Sequence, residues 1–344
     1  MAATAPRTRF SNLLDLASLP YFRESQGRLV LADAALGPTI DMHTHLALSY
    51  LLPPSVDLLR ESAQTEHYLP TAKPFDLEVY INRNFTAPDL ERMKKDLSFK
   101  SVTSGGMRKT HTVPNLAREM GELGIDGSVL LPIDVPLLSR NALTWLRAIA
   151  GRGEMIGFGS VHPFARNPEQ KLDEQVRLGA RGLKVHPAVQ LVGPDHPRAL
   201  HIYRLCGARK LPVLFHCGPV GIELASGRRL SQVRRYEKPI AEVPETTFVL
   251  GHSGALQMEE ALALSRKYPN VWLELSSQSL TNVRRIVETA DPKKIVYGSD
   301  WPFYHQAVGL AKVYLATEGQ DTLRHDVLRG NAARLLGIGL GAQR

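Results

Sequence analysis

Two cysteines in 344 residues, Cys206 and Cys217, are too few for a disulfide framework, and a reducing cytoplasm is the expected setting. No run of about 18 apolar residues occurs, so no membrane-spanning helix is expected. There is no basic tail and no aromatic-basic face, which argues against nucleic acid. No secretory signal is expected either. Residues 1–22, MAATAPRTRFSNLLDLASLPYF, place basic residues early and no acid before Asp15. A transit peptide reads that way, but the apolar stretch is too short and broken for secretion. What is present is ordinary: 43% hydrophobic and 22% charged residues, with 42 Lys plus Arg against 34 Asp plus Glu. The resulting charge of +8 fits a small anionic ligand. A homodimer is left open.

Beyond residue 120 short apolar runs alternate with amphipathic stretches. The runs are GSVLLP (127–132), MIGFGSVHP (155–163), RGLKVHP (181–187), PVLFHCG (212–218), TFVLGHSG (247–254), VWLELSS (271–277) and KIVYGSD (294–300). TIDMHTHL (39–46) makes eight. Such runs suit parallel strands covered on both faces. Between them, segments 113–125, 168–180, 258–269 and 279–290 repeat apolar residues at helical spacing. Eight βα units predict an α/β fold of the (β/α)8 TIM-barrel type, spanning residues 39–344. Residues 1–38 form an N-terminal extension in which GRLVLADA (27–34) reads as a strand or hairpin. Residues 46–112 are too long for a βα loop and are expected to cover the C-terminal face, with a helix over 89–97. An arginine-rich loop follows at 218–245.

Polar residues gather at the C-terminal ends of the runs, where this fold keeps its chemistry. They are His43, His45, His162, His186, His216, His252 and Asp300. On a strand Asp41, His43 and His45 share a face. Any one of these histidines reads as a core or loop residue; as a set they read as a site. H-x-H gives two imidazoles, His216 a third, and Asp300 a carboxylate, a donor set suited to a divalent ion such as zinc, with manganese as an alternative. Such an ion activates water, a carboxylate such as Asp300 accepts the proton, and His252 is the candidate for polarising the substrate.

D-x-H-T-H, FHCG, GHSG and YGSDWP, in this order and with LRGNAARLLGI (328–338), resemble the amidohydrolase superfamily. The end of the chain is similar to its amidohydrolase-related branch, which includes aminocarboxymuconate-semialdehyde decarboxylase, γ-resorcylate decarboxylase and related lactone hydrolases. The resemblance implies that His43, His45, His216 and Asp300 hold the metal and that His252 is an acid/base or electrophilic residue. Lys184 lies in phase with His186 on the fourth run. Binuclear members such as dihydroorotase carry a carboxylated lysine there that bridges two metals, with the sixth-strand histidine as a further ligand. By that likeness Lys184 and His252 become ligands only in a two-metal site. The expectation is instead one metal, with Lys184 a plain ammonium facing a substrate anion and His186 and His162 lining the pocket.

Trp301 and Phe303 are candidates for an apolar wall. Arg228 and Arg229, with Arg234 and Arg235, either contact substrate or form a solvated face, and Arg108, Lys109 and His111 have the same standing. Cys217 alternates away from His216 and reads as a core thiol. The leading functional expectation is a metal-dependent hydrolase of an amide, lactone or related bond in a small molecule. Non-oxidative decarboxylation of a carboxylated ring or dienoate uses the same site and is the alternative. A non-catalytic binding barrel is disfavoured by the full set of ligands.

Overall fold

In the computed structural model the described residues are 6–50, 56–98, 100 and 103–339. Eight parallel strands form the centre: β1 Thr39–Thr44, β2 Ile125–Leu130, β3 Met155–Gly157, β4 Leu183–Val185, β5 Val213–His216, β6 Phe248–Gly251, β7 Val271–Glu274 and β8 Ile295–Val296. β1, β2 and β3 pair in order, as do β4 to β8. Two bridges join these arcs, Gly159 with Leu183 and Thr44 with Trp301. Across the second seam Met42 N donates to Tyr297 O at 3.0 Å and Asp300 N to His43 O at 2.8 Å. The sheet is therefore a closed barrel, as the eight runs predict. The strands are almost wholly buried, which explains their unbroken apolar character.

The expected helices are found at Val113–Glu122, Pro168–Arg177, Met258–Lys267 and Leu280–Thr289. The helix of the insertion is Ala87–Leu97, opened by a capping box between Thr86 and Asp89. The box satisfies orphan amides of the first turn reciprocally. Among the described residues no helix is long and apolar enough to cross a membrane.

The N-terminal extension packs into the main core rather than standing apart. Its hairpin pairs Phe22–Ser25 with Arg28–Leu31 through Gln26 and Gly27, both at positive φ, as a tight two-residue turn requires. Leu16, Phe22 and Leu29 join the same apolar cluster as the barrel helices. Tyr21 stacks on Tyr314 at 4.9 Å, and Arg9–Phe10 pairs antiparallel with Phe75–Asp76 of the insertion.

Candidate metal centre

β1 ends in His43 and His45, both buried, with ring centroids 5.1 Å apart. One nitrogen of each ring is already fixed. His43 Nδ1 lies 2.7 Å from Glu274 Oε2, and His45 Nδ1 lies 2.8 Å from the carbonyl of Leu131. A carbonyl can only accept, so His45 carries its proton on Nδ1 and leaves a lone pair on Nε2. The Glu274 carboxylate does the same for His43. The two Nε2 atoms lie 3.7 and 3.4 Å from Asp300 Oδ1. His43, His45 and Asp300 thus offer three ligand atoms to one point, and His43, His252 and Glu274 form an overlapping group. Imidazoles oriented through their second nitrogen are the usual support of a metal. The residues present fit a divalent cation.

Glu274 is the hub beneath this point. It also accepts from His252 N at 3.0 Å and from Ser276 Oγ at 2.8 Å. Burial pushes its carboxyl up to about 7, against the pull of these donors. Asp41 shares the β1 face but is not a ligand. It accepts from Ser299 N, His43 N and Gln306 Nε2 at 2.9, 3.1 and 2.7 Å, so it braces β1 against the β8 end.

His252 follows β6 in an unusual turn. His252, Ser253, Gly254 and Ala255 all have positive φ, a conformation that costs non-glycine residues energy unless the surroundings enforce it. Gln278 enforces it, since its Nε2 donates to the carbonyls of His252 at 2.6 Å and Ala255 at 2.9 Å. Gly218 allows it, because a Cβ there would lie 1.8 Å from Gly254 O. His252 Nδ1 is 2.8 Å from Ser276 Oγ, and Nε2 is 3.1 Å from His216 Nδ1. His186 stacks on His216 with centroids 3.9 Å apart and planes 7° from parallel. Burial first, then the neighbouring imidazoles and Lys184, hold His43, His186, His216 and His252 well below the ordinary histidine range. They are neutral, the form a metal requires. His216, expected as a third ligand, is placed against His252 and His186 and is not part of the tight groups around His43.

Above these residues opens a cavity of about 260 Å³, reached by His45, His186, His216, His252 and Asp300. The insertion supplies Leu48, Tyr50, Tyr80, Asn82 and Leu97 to its wall. A larger cleft of about 680 Å³ near His67 and Glu119 touches none of the cluster.

Several expected contacts are corrected. Lys184 is buried below the cavity, not on its wall. Its Nζ lies 3.2 Å from His43 Nε2, and burial lowers it to about 8 against the pull of Asp300 and Glu274. His162 is a loop brace: Nε2 bonds Gln190 O at 2.9 Å and Nδ1 accepts from Phe164 N at 3.1 Å. Trp301 is fully buried, with its indole N–H on Glu119 at 2.8 Å, and it is Phe303 that reaches the cavity. Arg228 and Arg229 are exposed on the helix Ala225–Leu230, off the cavity wall. Arg108 is buried and donates to Leu48 O, while His111 bonds Glu66 O. Neither lines the cavity. Cys217 is a buried free thiol, as read. Glu274 was detectable only as the last residue of a strand with an inward phase. Ser276 and Gln278 carried no pattern at all.

No curated protein sequence matches this chain. Among solved structures it is similar to the uncharacterized TIM-barrel protein Bb4693 from Bordetella bronchiseptica, at 16% identity and a TM-score of 0.60, covering 87% of this chain and 98% of that one. It is similar to a dihydroxybenzoic acid decarboxylase from Polaromonas sp. JS666 with bound manganese and the inhibitor 2-nitroresorcinol (14%, TM-score 0.58, 88% and 97%). A third is a probable 2-pyrone-4,6-dicarboxylic acid hydrolase from Acinetobacter baumannii with citric acid bound (15%, TM-score 0.55, 87% and 99%). At these identities the likeness concerns the barrel alone. Residues 40–338, nearly the whole described barrel, match the Amidohydrolase family (Amidohydro_2), and the chain belongs to that family.

Proposed function

We propose that this chain is a metal-dependent hydrolase of an amide, lactone or related bond in a small molecule. The observation that carries the reading is the convergence of His43 Nε2, His45 Nε2 and Asp300 Oδ1, with both imidazoles locked from behind. A divalent cation held there supplies Lewis acidity and makes a water-derived nucleophile available at neutral pH. Asp300 is placed to take a proton at its carboxylate, whose Oδ2 accepts from Ser277 Oγ at 3.4 Å. His252, kept neutral by burial, meets His216 Nδ1 through its Nε2 at 3.1 Å, and this imidazole pair on the cavity wall is the candidate for moving a proton to or from the substrate. The covered cavity limits competing water.

Zinc suits two imidazoles and a carboxylate; manganese, named for the Polaromonas structure, is the alternative. We propose one cation per chain with Lys184 uncarboxylated. An ammonium 3.2 Å from His43 Nε2 would repel a second cation on that side of the ring, and the carboxylates of Asp300 and Glu274 favour its charged form against burial.

Decarboxylation of a carboxylated ring is the second reading, favoured by the apolar walls of the cavity at Leu48, Ile133, Val189 and Phe303. Metal analysis of the purified protein, followed by product analysis on lactones, amides and carboxylated aromatics, tests both. Ring opening or amide cleavage with about one metal per chain is the expected result. Carbon dioxide release would replace hydrolysis by decarboxylation. Two metals per chain, falling when carbon dioxide is withheld, would overturn the single-cation site.

A further inference from the structure

Three separate segments meet at one side of the cavity. Tyr304, beyond β8, donates its hydroxyl to Asn82 Oδ1. Asn82, in the insertion, donates Nδ2 to Val220 O at 3.1 Å. Val220, beyond β5, donates its N–H to Glu223 Oε1 at 3.1 Å. This chain of bonds fixes one oxygen of Glu223 and leaves Oε2 buried without a hydrogen-bond partner. Tyr80 stands at the same corner. It is 6% exposed, and its hydroxyl also lacks a partner of acceptable geometry. Ser277 Oγ lies near enough to pull the Tyr80 hydroxyl down slightly but makes no hydrogen bond of good geometry with it, and it donates to Asp300 Oδ2 at 3.4 Å. Burial first, then the carboxylates of Asp300 and Glu223, raise the Tyr80 hydroxyl well above its ordinary range, so it stays protonated.

Buried polar atoms in folded proteins nearly always have partners, and two orphans on one cavity wall call for a ligand. Their chemistry restricts it. Glu223 Oε2 can only accept, and Tyr80 can donate or accept. No lysine or arginine lies on the wall among the described residues, whereas Glu223 and Asp300 both do. A second carboxylate on the substrate would meet like charge here and nothing to neutralise it.

We propose that Tyr80 and Glu223 form a subsite that reads a hydrogen-bond donor on the substrate, a hydroxyl or an amine, and rejects an anionic group at that end. The inference rests on the reading of this cavity as the active site. A substrate hydroxyl donates to Glu223 and accepts from Tyr80; an ammonium donates to both. The anionic substrate suggested by the basic composition is thereby limited to a group facing the metal centre.

The test uses the metal-loaded full chain and a matched probe series: benzoate, its 2-, 3- and 4-hydroxy and aminomethyl derivatives, and the corresponding benzenedicarboxylates. Dissociation constants are read by calorimetry or ligand-observed NMR. At least one hydroxy or aminomethyl isomer is expected to bind ten-fold or more tighter than benzoate, and no dicarboxylate to gain. The isomer that gains identifies the donor. Glu223→Gln and Tyr80→Phe should each remove most of the gain while leaving benzoate within about two-fold. A dicarboxylate as the tightest probe, a gain that survives in both variants, or a series that does not bind would overturn the subsite. Metal content is followed in the same preparations, and turnover is followed there on the panel of lactones, amides and carboxylated aromatics, because the benzoate probes carry no bond that a hydrolase cleaves. Binding as expected without any turnover refutes the catalytic reading and leaves the subsite standing. Turnover without the donor preference refutes the subsite alone.

Discussion

His43 does nothing alone. Its Nε2 is useful to a cation because Glu274 accepts the N–H of the other nitrogen at 2.7 Å, and Glu274 in turn is held by His252 N and Ser276. Glu274→Gln puts an amide where the acceptor should be and frees the ring to turn or change tautomer. Metal affinity should fall about 10–100-fold, read by competition with a chelator, while the fold persists. His43→Ala removes a ligand outright and should purify with little metal; full occupancy in that variant would refute the assignment. Lys312 gives a second residue-level expectation. It is buried, bonds Gln278 O at 2.6 Å, and is lowered by burial from 10.5 to about 7. Above pH 7 the unfolded chain still binds a proton that the folded chain has lost, so stability rises with pH through this group and is lost as pH falls through 7. Relative to Lys312→Met, wild type should gain on the order of 1.4 kcal/mol per pH unit above 7, measured by urea unfolding from pH 6 to 9.

Elements differ in how openly the chain states them. Strands β1 to β8 were legible because burial on both faces leaves continuous apolar runs, and His43, His45, His216 and Asp300 were legible because they end such runs. The helix Gln306–Ala316 was not, since nearly all of its residues are buried and no polar stripe marks a period. Tyr80 and Glu223 lie in connections without periodicity, and only the folded chain brings them to one corner. The turn after β6 was equally silent: GHSG marks a site but not four successive left-handed residues. That turn depends on one side chain. Gln278→Met keeps the volume and removes both N–H donors, leaving two carbonyls of a strained turn unpaired. A loss of about 2–4 kcal/mol follows from the usual cost of unsatisfied buried groups. Denaturant midpoints check this, with metal content expected to stay near wild type because His43, His45 and Asp300 are untouched.

At the scale of the molecule the N-terminal segment behaves as part of the barrel's outer layer. Leu16 is fully buried in the main cluster, so Leu16→Ala should cost about 2–5 kcal/mol although it lies far from the chemistry in sequence. A shift of the thermal midpoint without a change in metal stoichiometry is the expected signature. The seam between β1 and the end of β8, where Thr44 bridges Trp301, has a consequence in time. The ligands proposed for the cation lie far apart in the sequence, His43 early and Asp300 late. At translation rates of about 5–20 residues per second, on the order of ten to fifty seconds separate their emergence from the ribosome. Throughout that interval the growing polypeptide carries an H-x-H pair with no cage around it, open to any passing transition ion. Loading of the proposed site would therefore be a post-synthetic event, decided by what the surrounding fluid offers when the last strand docks.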